Sequence, residues 1–332
     1  MLLKPHRNNI FGLITPLDFE ALALSVFHHQ AQYNEVYARY LSGLSCNPES
    51  IKKTEEIPFL PIEFFKSHQV ITSNSLEKNT AAIYTSSGTT GSLTSSHFVL
   101  DVTIYEESYL KSFDLFYGKI ESYCILALLP SYLERGGSSL IYMTEDLIKK
   151  TTHPDSSFYL NNYDALILKL KSLEERGQKT ILIGVTYALL DLLDKETFQL
   201  KNTIIMETGG MKGKRKEMVR EELHSILCKG FGVDAIHSEY GMTELLSQAY
   251  SNGNGRFICP PWMKILIRDT NDPFSYMPTA RTGGINVIDL ANINSCSFIA
   301  TQDLGKVYAD NSFEVLGRFD NSDIRGCNLL VQ

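Results

Sequence analysis

The sequence has no apolar run near the roughly 20 residues that a membrane-crossing helix needs. Its longest apolar stretches, such as Cys124–Leu129 and Ile181–Val185, have the length of buried strands. Positive charge is not in excess: 31 basic side chains face 38 acidic ones, a net charge of −7. Sequence-independent binding to nucleic acid or to an anionic membrane needs a positive field, so neither is expected as a partner. The six cysteines (Cys46, Cys124, Cys228, Cys259, Cys296 and Cys327) include no CxxC pair, which leaves no zinc-knuckle or redox-pair signal. They are too sparse over this length for a disulfide framework. The first ten residues lack the charged start, apolar centre and small-residue cleavage site of a secretory leader. The expectation is a cytoplasmic protein with free thiols. There is no internal repeat, low-complexity tract or flexible linker, and no GxxxxGK[ST] phosphate loop.

What is present is ordinary globular usage, 43 % hydrophobic and 21 % charged, which argues against a disordered chain. A length of 332 residues fits one large domain or two joined lobes. Apolar groups at helical spacing over Asp18–Leu44 predict one long helix. The segment Phe59–Phe65, interrupted by Pro61, reads as a loop closing on the core. From about residue 80 strands alternate with helices. Strands are expected at Ala81–Thr85, His97–Leu100, Tyr123–Leu129, Thr180–Gly184, Thr203–Glu207 and Val233–Ile236, with helices at 103–117, 138–150, 162–176, 186–195 and 214–228. Such alternation implies an α/β fold with mostly parallel, covered sheets. Past residue 255 only short strand-like pieces remain (Lys264–Arg268, Gly284–Leu290, Lys306–Ala309, Phe313–Leu316), a smaller β-rich lobe. The expected division is an N-terminal helical segment packed on the core (1–78), an α/β core (79–254), and a β-rich lobe with a tail (255–332).

The sharpest local feature follows the first of these strands: Tyr84-Thr85-Ser86-Ser87-Gly88-Thr89-Thr90-Gly91-Ser92. Glycines let backbone N–H groups approach an anion, and hydroxyls add donors without bulk. Alone, the stretch reads equally well as a Ser/Thr-rich surface turn. Four further motifs follow in order: Thr208-Gly209-Gly210, Glu239-Tyr240-Gly241-Met242-Thr243-Glu244, Thr301-Gln302-Asp303-Leu304-Gly305 and Gly317-Arg318-Phe319-Asp320. Together they resemble the signature motifs of adenylate-forming enzymes: acyl-CoA synthetases, aryl-CoA ligases and peptide-synthetase adenylation domains. Gln302 stands where that pattern has glycine.

The resemblance implies the large-domain fold of those enzymes and their reaction, the attack of a carboxylate on the α-phosphate of ATP. It assigns the β- and γ-phosphates to the loop of Thr85, Ser86, Ser87, Gly88, Thr89, Thr90 and Gly91, and the α-phosphate to Thr243. Glu244 would hold Mg²⁺, Tyr240 with Gly241 would stack on adenine, Gly209 and Gly210 would line it, Asp303 would accept the ribose hydroxyls, and Arg318 would contact ribose or phosphate. Taken singly, Glu244 reads more simply as a helix N-terminal carboxylate, Tyr240 as a core aromatic, and Asp303 as a turn residue. The loop lacks the lysine common in the family. Lys212, Lys214, Arg215 and Lys216 could supply its charge, or simply form a solvated helix start. His237 reads as a residue behind the site.

The family carries a C-terminal lid of about a hundred residues with an adenylating lysine, due by this resemblance near residue 320. This sequence ends at Gln332 with Ile324-Arg325-Gly326-Cys327-Asn328. That ending is similar to the LuxE-type acyl-protein synthetases of bacterial luciferase operons, as are Phe98–Gly118, Leu129–Tyr142 and Gly209-Gly210-Met211-Lys212. The resemblance implies acyl transfer from the adenylate to Cys327 and on to an acyl-CoA reductase-like partner; a buried structural cysteine is the alternative. Two other readings stand beside this one: transfer of a fatty or aryl group to coenzyme A or an acyl carrier, and a nucleotide-binding subunit without catalysis. The acid is expected between the 203–211 strand, the Tyr240 loop and segment 129–140.

Overall fold

A computed structural model of the chain describes residues 5–13, 15–73, 80–86, 94–129, 137–209, 215 and 218–319. Among these the strands are β1 (Leu60–Pro61), β2 (Ala82–Thr85), β3 (Ser96–Val99), β4 (Cys124–Leu128), β5 (Ser157–Phe158), β6 (Thr180–Val185), β7 (Thr203–Thr208), β8 (His237–Tyr240), β9 (Ala249–Ser251), β10 (Met263–Arg268), β11 (Gly283–Asp289), β12 (Phe298–Val307) and β13 (Phe313–Arg318). The chain divides into two compact units, one of residues 81–96 and 101–260, the other of 1–80, 97–100 and 261–332.

The 81–260 unit is built on a six-stranded sheet in the order β5-β4-β6-β7-β8-β9. All neighbours are parallel except β8 and β9. β4 and β6 are buried at every residue, which is why their sequences CILAL and TILIGV are unbroken runs rather than alternating ones. Each fully buried Leu or Ile in them contributes roughly 1.5–3 kcal/mol. Helices Val102–Tyr117, Ser139–Thr151, Tyr163–Glu175, Thr186–Leu193 and Arg220–Phe231 connect or cover the strands. Two expectations shift here. The last helix spans 220–231, not 214–228, and ends on Gly232 in the left-handed conformation (φ +68). The following strand is His237–Tyr240, not 233–236, because its pairing is set by Met206–Thr208 of β7 rather than by the apolar Val233 and Ile236.

In the other unit β1, β12, β11 and β10 form a sheet in that order, with β13 on β12. Only β1–β12 is parallel. The expected long N-terminal helix is two, Pro16–Tyr33 and Glu35–Gly43. The first opens with a reciprocal cap between Thr15 and Asp18 and with Pro16 in its first turn. The break falls at Asn34, which is fully buried. Its Oδ1 accepts from Tyr37 N (3.0 Å), capping the second helix, and its Nδ2 donates to Ser295 O (2.9 Å) and Thr72 Oγ1 (3.1 Å). A helical backbone there would forfeit the cap. Gln30 Nε2 also donates to Asn292 O and Ile293 O. The N-terminal helices therefore belong with the β-rich sheet, whereas the sequence reading set them on the α/β core. None of the five described cysteines is in a disulfide, and among the described residues no helix is long and apolar enough to cross a membrane.

Candidate functional site

β4, β6, β7 and β8 run parallel and so present their C-terminal ends at one edge. In open parallel sheets that edge is the usual place for a ligand. Several sequence motifs gather on it. β7 ends at Thr208, and Gly209 follows with φ +68, a backbone state that disfavours a side chain. Gly209 O accepts from Thr186 Oγ1 (2.9 Å), and Thr186 directly follows β6. β8 ends at Tyr240 and leads into Gly241, Met242, Thr243 and Glu244. The hydroxyl-rich loop is tied in through its stem. Thr85 N donates to Gly137 O (2.7 Å), on the connection that leaves β4. Gly137 has φ +87, and a methyl on it would lie 3.1 Å from Thr85 Oγ1 and 3.2 Å from Ile83 O, so the close approach requires glycine. Ser86 N donates to Ser95 O (3.0 Å) and Ser95 N to Ser86 Oγ (2.9 Å), closing the loop's base.

Alternation along the strands sorts the side chains between the two faces of the sheet. On one face Glu207 is ion-paired with Arg220 (3.2 Å) and approached by His224 (3.5 Å). The Arg220 guanidinium lies 4.9 Å over the Phe257 ring, and the Tyr240 ring meets Phe257 edge-on at 6.0 Å. Tyr240 is thus 8 % exposed, enclosed by aromatic and cationic neighbours. Gly241 beside it is exposed, Thr243 is part-exposed, and Glu244 is buried. On the opposite face lie His237 and Glu239. Burial lowers the pKa of His237, whose Nδ1 is 3.3 Å from Tyr117 Oη. Burial, and then the charge of Glu207, push the Glu239 carboxyl up to about 8. Sequence reasoning quoted Glu239 only as part of a motif. No sequence signal marked its burial, because the strand that carries it has no apolar run.

The other unit holds the remaining candidates. β12 carries Thr301–Gly305 and β13 carries Gly317 and Arg318. The register sets Asp303 directly opposite Arg318, and Arg318 Nε donates to Asp303 Oδ1 at 3.2 Å. Asp303 is buried while the Arg318 side chain is 76 % exposed, so the acid is fixed and the base reaches outward. Thr301 Oγ1 accepts from Asp303 N (3.1 Å) and donates to Ile285 O (2.9 Å). Asp303 is therefore a strand residue and not the turn residue that composition alone suggested. Gln302, in place of glycine, turns its amide to Glu63.

Of the basic residues that follow Gly210, Arg215 is ion-paired with Asp191 and Asp194. Ser87, Gly88, Thr89, Thr90, Gly91, Gly210, Lys212, Lys214, Lys216 and Cys327 lie outside the described residues. No group of three or more His, Cys, Asp or Glu able to hold a metal occurs among the described residues. Glu244 would then hold Mg²⁺ as a single carboxylate alongside phosphate oxygens, a donor set this cation accepts.

The architecture is that of adenylate-forming enzymes, a mixed α/β fold of several sheets with a smaller β-rich lobe. Among solved structures it resembles 2-hydroxyisobutyryl-CoA ligase in an open conformation with 2-HIB-AMP and CoA (TM-score 0.67, 10 % identity, 95 % of this chain and 75 % of that one). It also resembles ATP-bound MatB from Rhodopseudomonas palustris (TM-score 0.54, 17 % identity, 74 % and 50 %). A third is O-succinylbenzoate coenzyme A synthetase (MenE) from Bacillus subtilis with ATP and a magnesium ion (TM-score 0.51, 18 % identity, 73 % and 50 %). The alignments with the last two span about half the length of those proteins. No protein-family model matches the sequence, and no curated protein does either.

Proposed function

We propose that this chain activates a carboxylic acid as its acyl adenylate, with ATP and Mg²⁺, and then passes the acyl group to a thiol. The observation that carries the proposal is the convergence at one sheet edge of the loop stem Thr85–Ser86, Gly209, and the run Tyr240–Glu244. The fold likeness supports it. Two anions must meet in this reaction, so donors and a cation have to offset their repulsion. The hydroxyl loop would hold the β- and γ-phosphates, Thr243 the α-phosphate, and Glu244 the magnesium. When bound, that ion offsets phosphate charge. Tyr240 and Gly209 would flank the adenine, and Asp303, oriented by Arg318, would accept the ribose hydroxyls. A carboxylate oxygen bonds to the α-phosphorus while the bond to pyrophosphate breaks. A thiolate then bonds to the acyl carbon as AMP leaves.

The thiol assigned is Cys327, with onward transfer to a reductase-like partner. Coenzyme A is the second reading, favoured by the likeness to a ligase solved with CoA. The test is carboxylate-dependent exchange of labelled pyrophosphate into ATP, followed by electrophoresis with labelled acid. Wild type should exchange and form a hydroxylamine-labile band. Cys327→Ala should keep the exchange and lose the band. A band that persists in the variant, or thioester found only on added CoA, refutes the self-acylation step. Exchange absent with fatty, aryl and short acids alike refutes the adenylation.

A further inference from the structure

Asp303 stands where β12 departs from a regular ladder. Gly284 of β11 is opposite Leu304 and Asn286 is opposite Ala300, so the single residue Ile285 faces three on β12: Thr301, Gln302 and Asp303. A bulge of this kind takes backbone groups out of the ladder and re-aims side chains. The freed groups still need partners, because a buried carbonyl or N–H without one is costly. Arg268, the last residue of β10, supplies donors by reaching across β11. Its Nη2 donates to Thr301 O (2.6 Å), and its Nη1 donates to Ile285 O (2.8 Å) and Asn286 Oδ1 (2.8 Å). The Thr301 hydroxyl donates to the same Ile285 O and accepts from Asp303 N. Gln302 O accepts from Phe319 N (2.7 Å), and the Phe319 ring centre lies 5.5 Å from the guanidinium. One planar cation thus touches β11, β12 and the residue that follows Arg318. Gly284 makes room for it: a methyl there would lie 2.6 Å from Arg268 Cζ. The carboxylates whose charge acts on Arg268 are Glu63 and Asp303. All these residues belong to one of the two units, and Arg268 lies outside the five sequence motifs.

We propose that Arg268 is a positioning residue for the ribose: with Thr301 it fixes the bulge from which Asp303 projects, so that one carboxylate meets both ribose hydroxyls. This rests on the adenylation reading, which gives Asp303 that task, and adds a residue behind it. Arginine suits the place because its planar fork offers donors in fixed directions to three acceptors. A lysine ammonium carries the same charge as a point on a flexible stem and cannot bridge them together. A shifted bulge would leave the carboxylate in place as a charge but misaligned as an acceptor.

The experiment measures the preference for ATP over 2′-deoxyATP and 3′-deoxyATP. It is read as a ratio of kcat/KM in pyrophosphate exchange and as a ratio of Kd by calorimetry with Mg²⁺. Each deoxy nucleotide lacks one hydroxyl, so wild type should favour ATP over both by at least about tenfold. Arg268→Lys keeps the charge and Thr301→Val keeps the shape. Each should lower the preference by at least about fivefold through KM, with kcat at saturating ATP within about twofold of wild type. Thr301→Ser retains the hydroxyl and should keep the preference. In an Asp303→Asn background Arg268→Lys should lower it no further, because both act through one carboxylate. A merely structural role would weaken all three nucleotides alike. A ratio unchanged in Arg268→Lys and Thr301→Val, or lowered equally with Asp303 already replaced, overturns the inference. If the lysine variant does not fold, the two Thr301 variants decide. If exchange is absent with every acid, the calorimetric ratios decide. A preference lost in the variants then upholds the brace while adenylation fails, and no preference for ATP refutes the brace.

Discussion

Replacing Glu239 by glutamine should change how stability depends on pH more than it changes stability itself. In the folded chain the carboxyl titrates at about 8, against an ordinary value of 4.5. Between those values the native state holds a proton that the unfolded chain has lost, so stability falls as pH rises through the window. Below 4.5 both states are protonated, and above 8 both are ionised, so the contribution is level outside it. At about 1.4 kcal/mol per pKa unit, wild type loses about 5 kcal/mol across the window and about 3 kcal/mol by pH 7. Glutamine does not titrate. His237 titrates in both proteins and cancels in the comparison, and Glu207 on the other face of the sheet and the neighbouring Tyr105, Tyr117 and Tyr250 are common to both. Urea unfolding of the two proteins at pH 5, 7 and 8.5 measures the effect. The stability of the variant relative to wild type should climb steadily with pH. Parallel curves would show that the carboxyl is hydrated or paired in the native state, and the account of its burial would be wrong.

Asp303→Asn removes the charge opposite Arg318. It should raise the KM for ATP by about tenfold or more, worth about 1.4 kcal/mol, while unfolding changes by under about 1 kcal/mol because Arg318 is largely exposed. A large loss of stability with unchanged KM would make the pair structural. Arg215→Ala should leave the KM for ATP unchanged, because its guanidinium is held by Asp191 and Asp194; a rise in KM would restore it to the phosphate site. Asn34→Ala should destabilise by about 2–3 kcal/mol, through loss of the cap and of two buried hydrogen bonds. An unchanged urea midpoint would contradict that.

β4, β6 and β7 were legible because strands covered on both faces are continuous apolar runs. The helices between them were readable to within a residue or two for the same reason: packing against the sheet imposes their periodicity. β8 was not legible. Its residues His237, Ser238, Glu239 and Tyr240 carry no apolar run, and their pairing comes from β7 and β9 on either side. β12 extends through polar Thr301, Gln302 and Asp303, and only the alternation of buried and half-buried residues in the folded sheet makes it a strand. The helix break at Asn34 escaped notice because the apolar spacing runs straight through it; its cause lies in Ser295 and Thr72, remote in sequence. The motif residues could be named from order and spacing. The isolation of Glu239 could not, since it depends on which face each of three strands turns inward.

The bond from Thr85 to Gly137 ties together two tasks that the sequence keeps separate. Gly137 leads directly into the helix that Ser138 caps, and that helix presents Met143 and Leu147 to a small cavity of about 20 Å³. A displacement of the loop's base would strain this link and the ring contact of Tyr84 with Tyr142 on the same helix (5.7 Å between centroids). The stem of the hydroxyl-rich loop and the helix that walls the small cavity are thus joined mechanically, although about fifty residues separate them in sequence.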